Sequence, residues 1–124
     1  MSWTILVVED QADNRKILRD LLTSSGFEVV EAVNGLEGLR LAQSCNPDLI
    51  LMDIQLPGID GYEATRRIKA DSNLKDIPII VVTSYALSGD EKKAFEAGCD
   101  AYVAKPYSPR EMLGKVQEYL SKKV

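Results

Sequence analysis

Histidine is absent from all 124 residues. That one absence excludes Ser-His-Asp hydrolases, zinc hydrolases that rely on imidazole ligands, and any scheme in which the chain phosphorylates a histidine of its own. Cysteine is scarce. Cys45 and Cys99 form no CxxC, so reduced thiols of a cytoplasmic protein are expected rather than a disulfide framework. Long hydrophobic runs are missing too. Stretches such as Ile5 to Val8 and Ile79 to Val82 stop at four residues, against the roughly 20 apolar residues of a membrane span. Met1 to Ile5 carries no basic region, and no secretory leader is expected. Nor is there an excess of positive charge. Asp and Glu number 19 against 15 Lys and Arg, a net charge of −4. Clustered cations supply most nucleic-acid affinity, so a nucleic-acid partner is not expected.

What is present is a chain of single-domain length, 45% apolar, organised by alternation. Short β-branched runs recur at 4–8, 28–32, 49–52, 77–82 and 101–104. Several are apolar on both faces, as buried parallel strands are. Between them lie stretches of helical period. The first carries Ile17, Leu18, Leu21 and Leu22 and stops near Gly26; the second carries Leu36, Leu39 and Ala42 and stops at Asn46-Pro47; the last carries Met112, Leu113, Val116, Tyr119 and Leu120. Asn34 with Glu37, Asp60 with Glu63, Ser88 with Glu91 and Ser108 with Glu111 have the spacing of a helix-capping box, Pro109 suits a first helical position, and Gly98 suits a helix C-cap. The order βαβαβαβαβα predicts a single α/β domain with a doubly wound, five-stranded parallel sheet.

In such sheets function gathers beyond the carboxyl ends of the strands. The first strand ends in Glu9-Asp10, the third in Asp53, the fourth in Thr83-Ser84 and the fifth in Lys105-Pro106. Taken singly, each has an ordinary reading as a cap, a turn or a surface charge. Taken together, three carboxylates repel one another unless a hard cation sits among them, and oxygen ligands without histidine suit Mg²⁺. A carboxylate beside Mg²⁺, with a lysine and a hydroxyl nearby, is equipped for phosphoryl transfer.

Six segments in order carry a resemblance: Val7-Val8-Glu9-Asp10, the run from Asp48 to Asp53, Leu56-Pro57-Gly58-Ile59-Asp60-Gly61, the run from Pro78 to Ser84, Gly98-Cys99-Asp100-Ala101-Tyr102, and Lys105-Pro106. Over essentially its whole length the chain resembles the receiver domain of bacterial two-component response regulators, of the stand-alone CheY-like or DivK-like kind. The resemblance implies the (βα)5 fold with strand order 2-1-3-4-5, shared with flavodoxins. It implies Asp53 as the phosphoacceptor, with Thr83 and Lys105 binding the phosphoryl group. Asp10 is implied as a direct Mg²⁺ ligand, Glu9 as one acting largely through water, and the Gln55 backbone carbonyl as a further ligand beside Asp53. Tyr102 matches the switch aromatic that follows Thr83, Lys105-Pro106 a cis peptide, and Gln55 and Tyr85 the positions that tune phosphoryl lifetime.

On this reading residues 1–124 form one receiver with no output domain, a signalling protein that catalyses only its own phosphotransfer and slow dephosphorylation. A histidine kinase or histidine phosphotransfer protein would supply the phosphoryl group. A downstream protein would read a surface made by the fourth helix (87–97), the fifth strand (101–104) and the fifth helix (108–122). The protein would be a monomer or a phosphorylation-linked dimer, or would serve as an intermediate or phosphate sink in a phosphorelay. Three rivals stand beside it. A haloacid-dehalogenase-type phosphatase would place its nucleophile after the first strand in a DxD, where this chain has Asp10-Gln11-Ala12-Asp13. A flavodoxin-like FMN protein would need a first loop that welcomes phosphate, and Glu9 and Asp10 repel it. A degenerate receiver would have lost residues that are all present here.

Overall fold

A computed structural model describes residues 3–83 and 90–122. Five strands and five helices alternate: β1 Thr4–Val8, α1 Ala12–Ser24, β2 Glu28–Ala32, α2 Gly35–Cys45, β3 Leu49–Asp53, α3 Gly61–Ala70, β4 Ile79–Thr83, α4 Asp90–Ala97, β5 Ala101–Ala104 and α5 Pro109–Ser121. All strands pair in parallel, in the order β2-β1-β3-β4-β5. The expected doubly wound sheet is therefore found, and β1 and β3 are neighbours at its centre.

Alternation along the strands divides the core into two layers. Leu6, Val8, Ile50, Met52, Ile79 and Val81 face α2, α3 and α4, where they meet Ala42, Ala64, Ile68 and Ala94. Ile5, Val7, Leu49, Leu51, Ile80 and Val82 face α1 and α5, against Leu18, Leu22, Met112, Val116 and Leu120. Both sheet faces are covered, which is why these strands are apolar throughout rather than at every second position. Each fully buried Leu or Ile contributes about 2 kcal/mol, so these layers supply most of the driving force.

Three of the four proposed caps are made. Asn34, Asp60 and Ser108 accept hydrogen bonds from the backbone N–H of Glu37, Glu63 and Glu111 at 2.8, 2.9 and 3.0 Å. Ser88, the fourth, lies outside the described residues, as do Ser84 and Tyr85. Gly98 ends α4 with φ +109°, a conformation that penalises a side chain.

The structure sets the element boundaries and helix faces. β3 includes Asp53, whose backbone pairs in register with Val82 before its side chain turns to the sheet edge. β4 begins at Ile79, not 77, because the Ile77 N–H is taken by the Leu74 carbonyl and Pro78 has none to give. It extends to Thr83. α4 is described from Asp90, so positions 87–89 of the expected fourth helix lie outside the described residues. Ile17 is 59% exposed and Leu36 54%, although both belong to the apolar stripes that the helical period marks. α2 instead packs through Gly35, Gly38 and Ala42. A Cβ on Gly38 would come within 2.9 Å of Val8, so the helix lies too close to the sheet for a large side chain there.

Candidate functional site

Chain direction alone brings the charged groups together. β1, β3 and β5 run parallel, so the residues following them share one edge of the sheet. Glu9, Asp10 and Asp53 each place a carboxylate oxygen within 4.8 Å of the others. Lys105, beyond β5, donates to Glu9 Oε1 at 2.9 Å. Asp10, Asp53 and Lys105 line a cleft of about 400 Å³ together with Gln11, Asn14 and Gln55.

The three acids are not equivalent. Glu9 is 2% exposed. Burial acts to raise its pKa, but the Lys105 ammonium and the Gln11 N–H, 3.2 Å from Oε2, outweigh burial and hold it below the usual carboxylate value. Asp53 is buried and accepts only the Ile54 N–H, at 2.8 Å, among its described hydrogen bonds from the backbone. Burial, reinforced by the neighbouring Glu9 charge, pushes it up to about 7. Asp10 is exposed, and burial and Glu9 raise its pKa as well. Two of the three acids thus resist ionising beside the third. A divalent cation would relieve that repulsion, and an all-oxygen donor set of this spacing suits a hard cation such as Mg²⁺.

The backbone around Asp53 is tightly held. The Gly61 N–H donates to the Ile54 carbonyl at 2.8 Å, and a Cβ on Gly61 would collide with the Asp53 carbonyl. Glycine at the start of α3 is thus required by the path of the chain just past the acid.

Thr83 is wholly buried at the end of β4. Tyr102, on β5, is half-buried against the same core layer that Ile79 and Val81 line. Val81 is registered opposite Tyr102 and Thr83 opposite Ala104, so Thr83 and Tyr102 are diagonal neighbours on one sheet face. The Lys105-Pro106 bond is cis, as expected. Gln55 is at the cleft; Tyr85 lies outside the described residues. Sequence reasoning passed over Gln11 and Asn14, which line the cleft, and Arg15 behind it. Their position in the first turn after an acidic pair was the available signal.

Comparison with known proteins agrees with this geometry. The family model described as the response regulator receiver domain matches residues 5–117. The chain is 45% identical over 120 residues to the polar-differentiation response regulator DivK of Brucella anthropi, covering 97% of this chain and 98% of that protein. The Brucella ovis DivK is 44% identical over the same length. Among solved structures, a putative response regulator from Chloroflexus aurantiacus superposes with a TM-score of 0.94 at 33% identity, covering 98% of this chain and 99% of that one. The receiver domain of a sensor histidine kinase from Pseudomonas aeruginosa, with a magnesium ion coordinated in its active site cleft, gives 0.91 at 37% identity with the same coverage. The phosphatase and flavodoxin readings fall away, for in fold, in length and in the acids that crown its central strands, this chain belongs to the response regulator receiver domain family.

Proposed function

We propose that this receiver is a stand-alone response regulator that takes a phosphoryl group from a partner's phosphohistidine onto Asp53. The observation that carries this reading is the meeting of three carboxylates within 4.8 Å at a cleft that Lys105 also lines. In the step, a carboxylate oxygen of Asp53 attacks phosphorus in line. The O–P bond forms as the donor's N–P bond breaks, and the released imidazole nitrogen takes up a proton. Asp53, Asp10, Glu9 and the Gln55 carbonyl would hold Mg²⁺, which would offset charge on the attacking carboxylate and the phosphoryl oxygens. Lys105 would exchange Glu9 for a phosphoryl oxygen, and the Thr83 hydroxyl would donate to another.

Two surfaces support the partner assignments. Beside the acidic cleft lies an apolar hollow lined by Ile17, Leu18, Leu21, Pro106, Tyr107 and Pro109, and Asn14 and Lys105 border both. An apolar helix of a histidine-bearing donor seated there would bring its phosphohistidine to Asp53. On the other side, Phe95 of α4 is 45% exposed and Tyr102 of β5 is half-buried. Movement of Thr83 would reach Tyr102 and alter the α4-β5-α5 surface offered to a downstream protein. A cytoplasmic location fits these partners, and no helix among the described residues is long and apolar enough to cross a membrane.

Intact-mass measurement after incubation with acetyl phosphate and Mg²⁺ tests the reading. Wild type should gain one phosphoryl group, and none should be gained when Mg²⁺ is chelated beforehand or in Asp53→Asn. Equal incorporation in Asp53→Asn would overturn it.

A further inference from the structure

Arg15, in the first turns of α1, does not line the cleft. Its guanidinium is half-buried behind the loop that carries Glu9 and Asp10. One nitrogen, Nη1, donates to the Glu9 carbonyl and to the Asp10 carbonyl, each at 3.0 Å. Nε lies 3.5 Å from Glu31 Oε1 on β2. Glu31 is held in turn by Arg19 Nη1, at 3.1 and 3.0 Å. A strand carboxylate therefore anchors a guanidinium that grips two successive peptide planes.

Peptide units are planar, so fixing a carbonyl fixes the whole unit. The residue between the Glu9 and Asp10 carbonyls is Asp10. With both flanking units held, its two soft dihedrals are set, and so is the direction in which its Cβ leaves the chain. This matters because the Asp10 side chain is exposed, unlike Glu9 and Asp53. Little packing holds its carboxylate at the cleft, so the main chain must. At the start of α1 the Gln11 N–H holds the second unit too, through Glu9 Oε2 at 3.2 Å, but the Gln11 side chain makes no capping hydrogen bond, and of these groups Arg15 alone grips both units.

We propose that Arg15 is a positioning residue for the metal cleft: by gripping the Glu9 and Asp10 carbonyls it holds the Asp10 carboxylate toward Asp53, and Mg²⁺ binds more tightly for it. The proposal rests on the Mg²⁺-dependent reading of the cleft. It runs against simple electrostatics, and that makes it testable. Arg15 is a cation near a cation site, so removing its charge should tighten Mg²⁺ binding if charge alone matters. Removing the grip should weaken it.

Calorimetric titration with Mg²⁺ would compare wild type, Arg15→Gln and Arg19→Gln. Arg19→Gln deletes the same charge one turn further along α1, on the same Glu31, without touching the loop. Expected is about tenfold weaker Mg²⁺ binding in Arg15→Gln, the lower end of what loss of an outer-shell partner costs a metal site, with Arg19→Gln equal to wild type or slightly tighter. Equal or tighter binding in Arg15→Gln would overturn the positioning role while leaving the cleft a Mg²⁺ site. Absence of Mg²⁺ binding in wild type would overturn both. Should Arg15→Gln fail to fold, amide relaxation of the metal-free wild type decides. The Asp10 N–H should show the order parameter of rigid backbone, about 0.85, and a value below about 0.6 would overturn the proposal.

Discussion

Lys105 and Glu9 stand 96 residues apart in the chain and meet at 2.9 Å at the carboxyl edge of the sheet. The pair closes β1 against the β5–α5 connection across the central strands. It also keeps an almost wholly buried carboxylate ionised beside Asp53, because the ammonium and the Gln11 N–H outweigh the burial of Glu9. Lys105 therefore serves the folded state as well as the proposed chemistry.

Replacing Lys105 with Met should separate those two roles. Glu9 would lose its cation while still buried, at an expected cost of about 2 kcal/mol near pH 7, below the range for fully buried pairs because the Lys105 side chain retains some exposure. Its pKa in the folded protein would rise above the unfolded value. The lost stability should then return as pH falls and the carboxylate takes up a proton. Phosphotransfer from acetyl phosphate should fall on the order of a hundredfold at every pH, as loss of a charge-stabilising donor implies. Urea unfolding at pH 5 and 7, with phosphorylation rates at the same pH values, checks both. Unchanged phosphorylation would remove Lys105 from the reaction.

Asp53 makes a prediction of opposite interest for stability. Burial and the Glu9 charge raise its pKa from the usual 3.8 to about 7. Between those values the folded protein holds a proton that the unfolded chain has released. Stability from this group therefore falls as pH rises through the window from about 4 to 7. At about 1.4 kcal/mol per pH unit the total is at most about 4 kcal/mol, the opposing pull of the Lys105 ammonium being already contained in the raised value. Asp53→Asn should accordingly be more stable than wild type by a margin that widens from pH 4.5 to pH 7.5, and added Mg²⁺ should narrow that margin at pH 7.5. Urea unfolding with and without Mg²⁺ would show it, and an equal margin at both pH values would contradict the assignment.

The strands and the converging acids could be read in the sequence because both follow from simple patterns. Strands buried on two faces are short apolar runs, and a parallel sheet delivers whatever follows β1, β3 and β5 to one edge. Helix faces were less legible. Periodicity identifies an apolar stripe without saying which of its margins touches the sheet, so Ile17 and Leu36 belong to their stripes and are still exposed. In α2 the contact is made by Gly35 and Gly38, which carry no hydrophobic signal. Arg15 was invisible for another reason: its partners at the loop are main-chain carbonyls, which no residue pattern encodes.

Gly61 offers a test of how closely the backbone near Asp53 is fitted. An added methyl would overlap the Asp53 carbonyl, and two main-chain segments cannot yield as a flexible side chain would. Gly61→Ala should destabilise the domain by about 2 kcal/mol, a typical cost of overpacking. The surviving folded fraction should phosphorylate more slowly, because the nucleophile is displaced with its carbonyl. Gly114→Ala is the control, since a Cβ there meets nothing within 4 Å. It should equal or exceed wild-type stability in mid-helix. Similar stability losses in the two variants would show that the fit at Asp53 is looser than the structure implies.

Ile17 separates docking from chemistry. It is 59% exposed on α1, beside an apolar hollow that shares Asn14 and Lys105 with the acidic cleft. An Ile at that exposure contributes little to the core, so Ile17→Asp should change stability by less than about 0.5 kcal/mol, as surface substitutions usually do. A protein donor bearing phosphohistidine would have to bury that position, and an uncompensated carboxylate there would cost about 2 kcal/mol of association or more. Transfer from such a donor at subsaturating concentration should therefore slow roughly thirtyfold, at about 1.4 kcal/mol per factor of ten. Transfer from acetyl phosphate, which needs no docking face, should not change. Parallel loss with both donors would mean that Ile17 supports the cleft itself, and no loss with either would move the donor's seat to another face of the molecule.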